Sequence, residues 1–164
     1  MKILILVRHA KSSWDDFSLP DLQRPLNERG KKDAPKMANR LKTHFSKIDA
    51  FVCSPAKRAR KTAELFMKEF DSPGKKPQVE PGLYEATVTK FYQAVESLDD
   101  KDKTVALFAH NPTITDFINS LDCRPIDDMP TCGVYVLSAD TQTWKDFRQA
   151  AKEFRFFDYP RLHS

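Results

Sequence analysis

The chain of 164 residues carries 27 Lys and Arg against 23 Asp and Glu, a formal net charge of +4, with 30% charged and 40% hydrophobic residues. That length suits one domain over residues 1–164, able to bury about 70% of its unfolded surface. The basic residues are dispersed among acids, which argues against a nucleic-acid face and suits an anionic ligand; no apolar stretch approaches the roughly 20 residues of a membrane span, and no secretory h-region opens the chain.

Residues 2–7 form a continuous apolar run, read as a strand buried on both faces of a parallel sheet, and the run ends directly on Arg8 and His9. Ligand crevices in open α/β sheets lie at the carboxyl ends of strands. The pair therefore places a fixed cation and a titratable nucleophile or base where a site is expected. Lys11, Ser12 and Ser13 add donors for an anion, and Trp14 and Phe17 either flank the entrance or anchor their loop. After a polar loop over residues 15–25, Asn27 caps a helix to about residue 44, with Ala34, Met37, Ala38, Leu41 and Phe45 as its apolar stripe. Pro35 inside the pattern leaves the start of that helix open, since an interior proline removes a hydrogen bond.

Residues 48–53 read as a second strand, with Ser54 as cap and Pro55 as first residue of a helix to about residue 70. A loop over 71–77, a short edge strand over 78–80, a third helix over 88–98 and a charged turn over 99–103 follow. Residues 104–109 are a second continuous buried strand, and a helix opens at Pro112 and reaches about residue 121. Residues 133–138 and 143–147 read as alternating strands joined at Asp140, followed by a mixed segment over 150–157. The alternation predicts a three-layer α/β/α sandwich with a mostly parallel central sheet.

Three strand ends carry matching chemistry. The first ends in Arg8-His9; the second in Ser54-Pro55, with Arg58 in the first turn of the next helix; the third in His110-Asn111-Pro112. Two arginines and two histidines converging at such ends would surround a dianion with donors. Other phosphate chemistries fit poorly: with four glycines there is no P-loop and no G-x-G-x-x-G. The cysteine-phosphatase spacing from Cys53 lands on Ala59, between Arg58 and Arg60. Asp100 to Thr104 imitates an aspartyl-phosphate motif but precedes its strand. Cys53, Cys123 and Cys132 are odd in number and lack C-x-x-C spacing, so a reducing cytoplasm is expected, with neither a disulfide framework nor a metal site. His44 and His163 read as structural or solvated, and Phe154, Phe156, Phe157 and Tyr159 as packing.

Four segments in register carry a resemblance. Leu6 through Trp14 resembles the N-terminal signature of the histidine phosphatase superfamily; Arg24-Pro25-Leu26-Asn27-Glu28-Arg29-Gly30 is similar to its R-P-L-x-x-x-G segment; Ser54 through Ala63 resembles its S-P-x-x-R-A-x-x-T-A block; Ala109-His110-Asn111-Pro112 resembles its second-histidine block. The short length resembles the SixA-type phosphohistidine phosphatase branch. The resemblance implies a phosphoglycerate mutase-like fold, His9 as the nucleophile that becomes phosphorylated, and Arg8, Arg58 and His110 as ligands of the transferring phosphoryl group. Physical reasoning agrees, since a nucleophilic histidine must be neutral and two nearby guanidiniums disfavour its protonated form. The same cations neutralise charge on the phosphoryl oxygens, so no metal or cofactor is needed. Ser12 is a further candidate ligand. Ala10 and Ala109 stand where the family more often has Gly, and their methyl groups could crowd the phosphate loop.

The general acid stays open. Relatives with mutase activity use a Glu after the third strand, where Glu85 stands; the SixA-type branch resembles this chain in placing an Asp three residues before R-P-L, here Asp21. Asp15 and Asp16 are further candidates on that loop. The resulting expectation is a cytoplasmic, metal-independent phosphatase acting on phosphohistidine carried by a protein, through a phospho-His9 intermediate. The alternatives are a phosphatase of small phosphoesters, favoured by Glu85 as acid, and a phosphate- or phosphoprotein-binding module without turnover.

Overall fold

A computed structural model describes residues 1–71 and 75–162. Part of the expected 71–77 loop, and His163, lie outside the described residues. Six strands form one sheet: β1 (Lys2–Arg8), β2 (Ala50–Cys53), β3 (Gln78–Val79), β4 (Thr104–Ala109), β5 (Val134–Ala139) and β6 (Lys152–Asp158). Their order is β3-β2-β4-β1-β5-β6; the pairings β3–β2, β2–β4 and β4–β1 are parallel, and β1–β5 and β5–β6 antiparallel. The sheet is therefore mostly parallel, as the buried runs predict.

Four helices cover it: α1 (Glu28–Lys42), α2 (Lys57–Glu69), α3 (Val88–Glu96) and α4 (Thr113–Ser120). Side chains alternate across a strand, so β1 feeds two cores at once. Ile5 and Val7 pack with Ala34, Met37, Ala38 and Leu41 of α1 and Ala63, Phe66 and Met67 of α2. Leu4 and Leu6 pack on the opposite face with Phe91 and Val95 of α3 and Ile114, Phe117 and Ile118 of α4. The chain thus leaves β1 toward one face and β4 toward the other. These two strands are neighbours, with Arg8 opposite Ala109, so the crevice opens between their carboxyl ends.

The Asn27 side chain accepts from the Gly30 nitrogen at 2.8 Å, which caps α1 as expected. Pro35 interrupts nothing visible: the helix runs through it, its lost hydrogen bond offset by the buried stripe around it. Two expectations fail. The helix after β2 does not begin with Ser54 as cap and Pro55 at its first position; Ala56 is the N-cap and Lys57 the first residue, while the Ser54 hydroxyl accepts the Ala56 N–H at 3.2 Å in the turn ahead of the helix and meets His110 at the site. Residues 143–147 are not a strand. They form a single 3-10 turn, Trp144–Asp146, because Trp144 is drawn wholly into the core, where its indole donates to the Asp102 carbonyl at 2.8 Å. The partner of β5 is instead β6, within the segment read as mixed, and Phe154 and Phe157 pack against Tyr135 as expected of packing residues.

Gly30 closes the gap between α1 and the segment after His9. A methyl group there would lie 2.2 Å from the Lys11 carbonyl oxygen, which no neighbour can absorb without moving backbone. Gly30→Ala is expected to lower stability by about 1–3 kcal/mol, as overpacking does, read from the urea midpoint, with activity falling in parallel. Lys31→Ala, on the exposed face one residue on, should leave both unchanged.

Candidate active site

β1 delivers Arg8 and His9, and β4 delivers His110 beside them. The two imidazole centroids are 5.1 Å apart, and the His9 nitrogen donates to the Ala109 carbonyl at 3.1 Å, which sets the two strand ends in register. His9 is only 6% exposed. Its Nδ1 lies 2.8 Å from the Ala10 carbonyl oxygen. A carbonyl only accepts, so Nδ1 carries the proton of the neutral ring and Nε2 carries a lone pair. Burial above all, then the Arg58 and Arg8 guanidiniums and the proton that His110 would take up in acid, push the His9 pKa down to about 3, against the pull of the Ala10 carbonyl. Sequence reasoning credited the arginines; desolvation is the larger cause. His110 is pushed down to about 4, again by burial first and by Arg58 next. Its Nε2 meets the Ser54 hydroxyl at 2.7 Å, and its Nδ1 is buried without a hydrogen-bond partner.

Arg58, 6% exposed, reaches the same place from the first turn of α2. It donates to the Asp21 carbonyl oxygen at 2.7 Å and to the Asp21 carboxylate at 3.0 Å. Arg8 donates to the Met129 carbonyl at 2.9 Å. The Nε atoms of Arg8, Arg24 and Arg58 are all buried with no hydrogen-bond partner. The pocket wall comprises Arg8, His9, Lys11, Ser12, Trp14 and Arg24 with Arg58, His110 and Asn111. The cavity is about 270 Å³ and adjoins a second lobe of about 360 Å³ that shares Arg58, His110 and Asn111 and is lined by Asp21, Tyr84, Glu85 and Thr113. The first is a little below, and the second within, the roughly 300–1,000 Å³ of clefts that enclose small ligands.

The structure brings Arg8, His9, Arg58, His110, Ser12 and Asp21 together. Ser12 lines the wall, where its hydroxyl accepts a hydrogen bond from Arg24. Asp21 lines the second lobe, held by Arg58 and by the Tyr84 hydroxyl at 2.6 Å. The Tyr84 bond first, then Arg58 and Arg24, keep the Asp21 carboxyl below its usual range, and the same bond raises Tyr84 to about 12. Asp21 is thus held as a carboxylate. Glu85 is exposed in the same lobe, with a left-handed backbone at φ 51°. Asp15 and Asp16 are exposed and line neither lobe. Trp14 flanks the entrance, 64% exposed, with the Arg24 guanidinium 3.7 Å from its ring centre. The methyl groups of Ala10 and Ala109 are buried in the two cores, so neither crowds the pocket. Among the described residues no cluster of three or more His, Cys, Asp or Glu could hold a metal ion.

Four functional residues escaped the sequence reading although they stood inside the quoted segments or beside them. Arg24 supplies a third guanidinium; Tyr84 fixes Asp21; Thr62 takes the Ala10 N–H at 3.0 Å and donates to the Arg58 carbonyl at 2.7 Å. Asn111 donates to the Asp128 carboxylate at 2.9 Å and the Met129 carbonyl at 3.0 Å, holding the segment that holds Arg8. That segment had no sequence signal beyond its glycine. A methyl group on Gly133 would lie 2.6 Å from the Met129 sulfur and 2.9 Å from the Pro130 carbonyl.

This fold, with a buried and a half-buried histidine set among arginines at the β1–β4 crevice, defines a phosphoryl-handling α/β protein of the phosphoglycerate mutase-like kind. The chain belongs to the histidine phosphatase superfamily, branch 1, whose model matches residues 4–93. It is 30% identical over 161 residues to an uncharacterized chloroplastic protein of Arabidopsis thaliana, covering 87% of this chain and 69% of that one. A candidate phosphohistidine phosphatase, SixA, of Nakamurella multipartitia superposes with a TM-score of 0.79 at 25% identity, over 98% of this chain and 97% of its own. The protein histidine phosphatase SixA complexed with tungstate shares the fold, with a TM-score of 0.80 at 22% identity over 96% and 97% of the two chains.

Two neutral histidines, His9 buried and His110 half-buried, make stability depend on pH. Their folded values, about 3 and about 4, lie below the ordinary 6.5, so between them the unfolded chain binds more protons. Stability contributed by keeping these rings neutral is therefore complete above pH 6.5 and lost as pH falls, with a slope of up to about 1.4 kcal/mol per pH unit for each ring. Urea midpoints taken from pH 7.5 to 5 should fall with that sign. The slope should flatten in His9→Asn/His110→Asn; an unchanged slope would contradict the assignment.

Proposed function

We propose that the chain is a phosphatase that removes the phosphoryl group from phosphohistidine on a protein, through a phosphohistidine formed at His9. The observation that carries this is the His9 ring: neutral, its proton held on Nδ1 by the Ala10 carbonyl, its Nε2 lone pair available in a pocket lined by guanidiniums. Nε2 attacks phosphorus in line, and the bond from phosphorus to the substrate imidazole breaks, its electron pair leaving with that ring. Water then attacks phospho-His9, the P–N bond returns its pair to Nε2, and orthophosphate departs. Arg8 and Arg58 neutralise the equatorial oxygens with donors already in place, where electrostatic stabilisation carries most of phosphoryl transfer. His110 contributes a ring N–H at the same oxygens.

The state of Asp21 supports a good leaving group. A carboxylate kept ionised by Tyr84, Arg58 and Arg24 is a poor proton donor, and it serves instead to aim Arg58. An imidazole leaving from phosphohistidine can be protonated before attack, so it needs little acid help, whereas an alkoxide needs much. The second reading, a phosphatase of small phosphoesters, is favoured by one feature: Glu85 lines the lobe beside His110 and Arg58, where a leaving oxygen would emerge.

The experiment is a rapid quench with an activated phosphoryl donor. Acid-labile phosphate should appear on His9, approaching one per chain, and His9→Asn should abolish it; phosphate binding without label at any time would defeat the enzyme reading. Asp21→Asn, which keeps an acceptor for Arg58, should retain at least about ten-fold more activity than Asp21→Ala. Glu85→Gln should change phosphohistidine hydrolysis by less than about three-fold, while any phosphomonoester activity falls about ten-fold or more. Equal losses on both substrates would move the assignment to the second reading.

A further inference from the structure

Among the described residues, six large apolar side chains are exposed, and three belong to one short segment: Trp14 at 64%, Phe17 at 90% and Leu22 at 43%. A single exposed apolar residue needs no explanation, but a cluster beside a pocket does. This segment is not loose chain. Its base is closed by the Ser12–Leu26 bridge, by the Ser13 nitrogen on the Pro25 carbonyl at 2.8 Å, and by the Asn27 nitrogen on the Lys11 carbonyl at 3.0 Å. Inside it the Ser18 nitrogen donates to Asp16 at 3.0 Å, and its far side is tied across the site by Asp21 to Arg58 and Tyr84. Compact loops closed in this way are frequently functional. Trp14 at one end of the loop lines the cavity that contains His9, Asp21 at the other end lines the adjoining lobe, and the exposed Phe17 and Leu22 lie on the chain between and beside these two anchors.

We infer that the loop over residues 14–22 is the docking surface for the phosphoprotein, through Phe17 and Leu22, and that the partner is a folded protein presenting its phosphohistidine next to an apolar surface patch. The inference rests on the phosphohistidine reading above and adds what recognises the carrier. Two complementary contacts define the occupant: a phosphoryl dianion matched to Arg8, Arg24, Arg58 and Lys11 in the pocket, and an apolar patch matched to the rim one loop away. A free phosphohistidine makes only the first contact. A phosphohistidine on a polar peptide leaves Phe17 and Leu22 uncovered and so forgoes the apolar contact.

The test uses a stable helical bundle protein with one exposed histidine, phosphorylated with phosphoramidate, in two forms that differ only in Leu or Ser at the positions flanking that histidine. Nα-acetyl-phosphohistidine is the small control. The Leu-flanked protein should be turned over with kcat/KM about ten-fold above the Ser-flanked one. Phe17→Ser should shrink that ratio and Phe17→Ser/Leu22→Ser should abolish it, both leaving the rate on the small control unchanged. Equal rates for the two bundles, or variants that lose activity on all substrates alike, would overturn the inference. Loss of binding by the variants to phosphatidylglycerol vesicles, with no effect of the flanking residues on turnover, would assign the rim to a membrane and also overturn it. If the wild-type protein hydrolyses no phosphohistidine at all, including the small control, the underlying reading falls first, and that outcome is distinct from all the others.

Discussion

A neutral imidazole buried among guanidiniums is the constraint on which the site depends. Left in water, His9 would be protonated over part of the physiological range; taken out of water beside Arg8, Arg58 and His110, its charged form is excluded down to about pH 3. Neutrality alone does not choose which nitrogen keeps its lone pair. The Ala10 carbonyl makes that choice by accepting from Nδ1, and the Ala10 N–H is itself held by Thr62 of α2. Orientation of one ring atom therefore depends on a helix that starts on a different strand.

The same logic recurs at each charged group. Arg58 is aimed by Asp21, Asp21 is fixed by Tyr84, Arg8 is aimed by the Met129 carbonyl, and that carbonyl is fixed by Asn111. Gly133 and the left-handed Cys132 carry the chain from Met129 into β5, and the Cys132 nitrogen returns to the carbonyl oxygens of Arg8 and His9 at 3.1 Å. The C-terminal third thus acts as a buttress for the first strand's end. Positive charge is gathered by parts that are far apart in sequence, and their fixed positions mean that little reorganisation is needed when an anion arrives.

This explains which features were legible in the sequence. β1 and β4 were readable because a strand buried on both faces shows as an unbroken apolar run, and the residues ending each run, Arg8-His9 and His110, line one pocket. The Asn27 cap was readable because capping is local. Ser54 was misread as the helix cap because its hydroxyl does take a nearby backbone N–H, that of Ala56, but in the turn ahead of the helix, while it also meets His110. Residues 143–147 were misread because Thr and Trp favour strands, whereas burial of the Trp144 indole decided the backbone. Arg24 and Tyr84 could not be assigned from spacing, since their roles come from contacts such as Tyr84 to Asp21, 63 residues apart. Burial outweighing the arginines in setting the His9 pKa was likewise invisible before the core was assembled.

The direct test of the account is the state of the His9 ring, followed by nitrogen-15 NMR of the histidine side chains from pH 4.5 to 8. The account predicts that His9 stays neutral throughout, with the proton on Nδ1 and an unprotonated Nε2, and shows no titration near 6.5. A His9 that titrates near 6.5, or one that carries its neutral-form proton on Nε2, would contradict it.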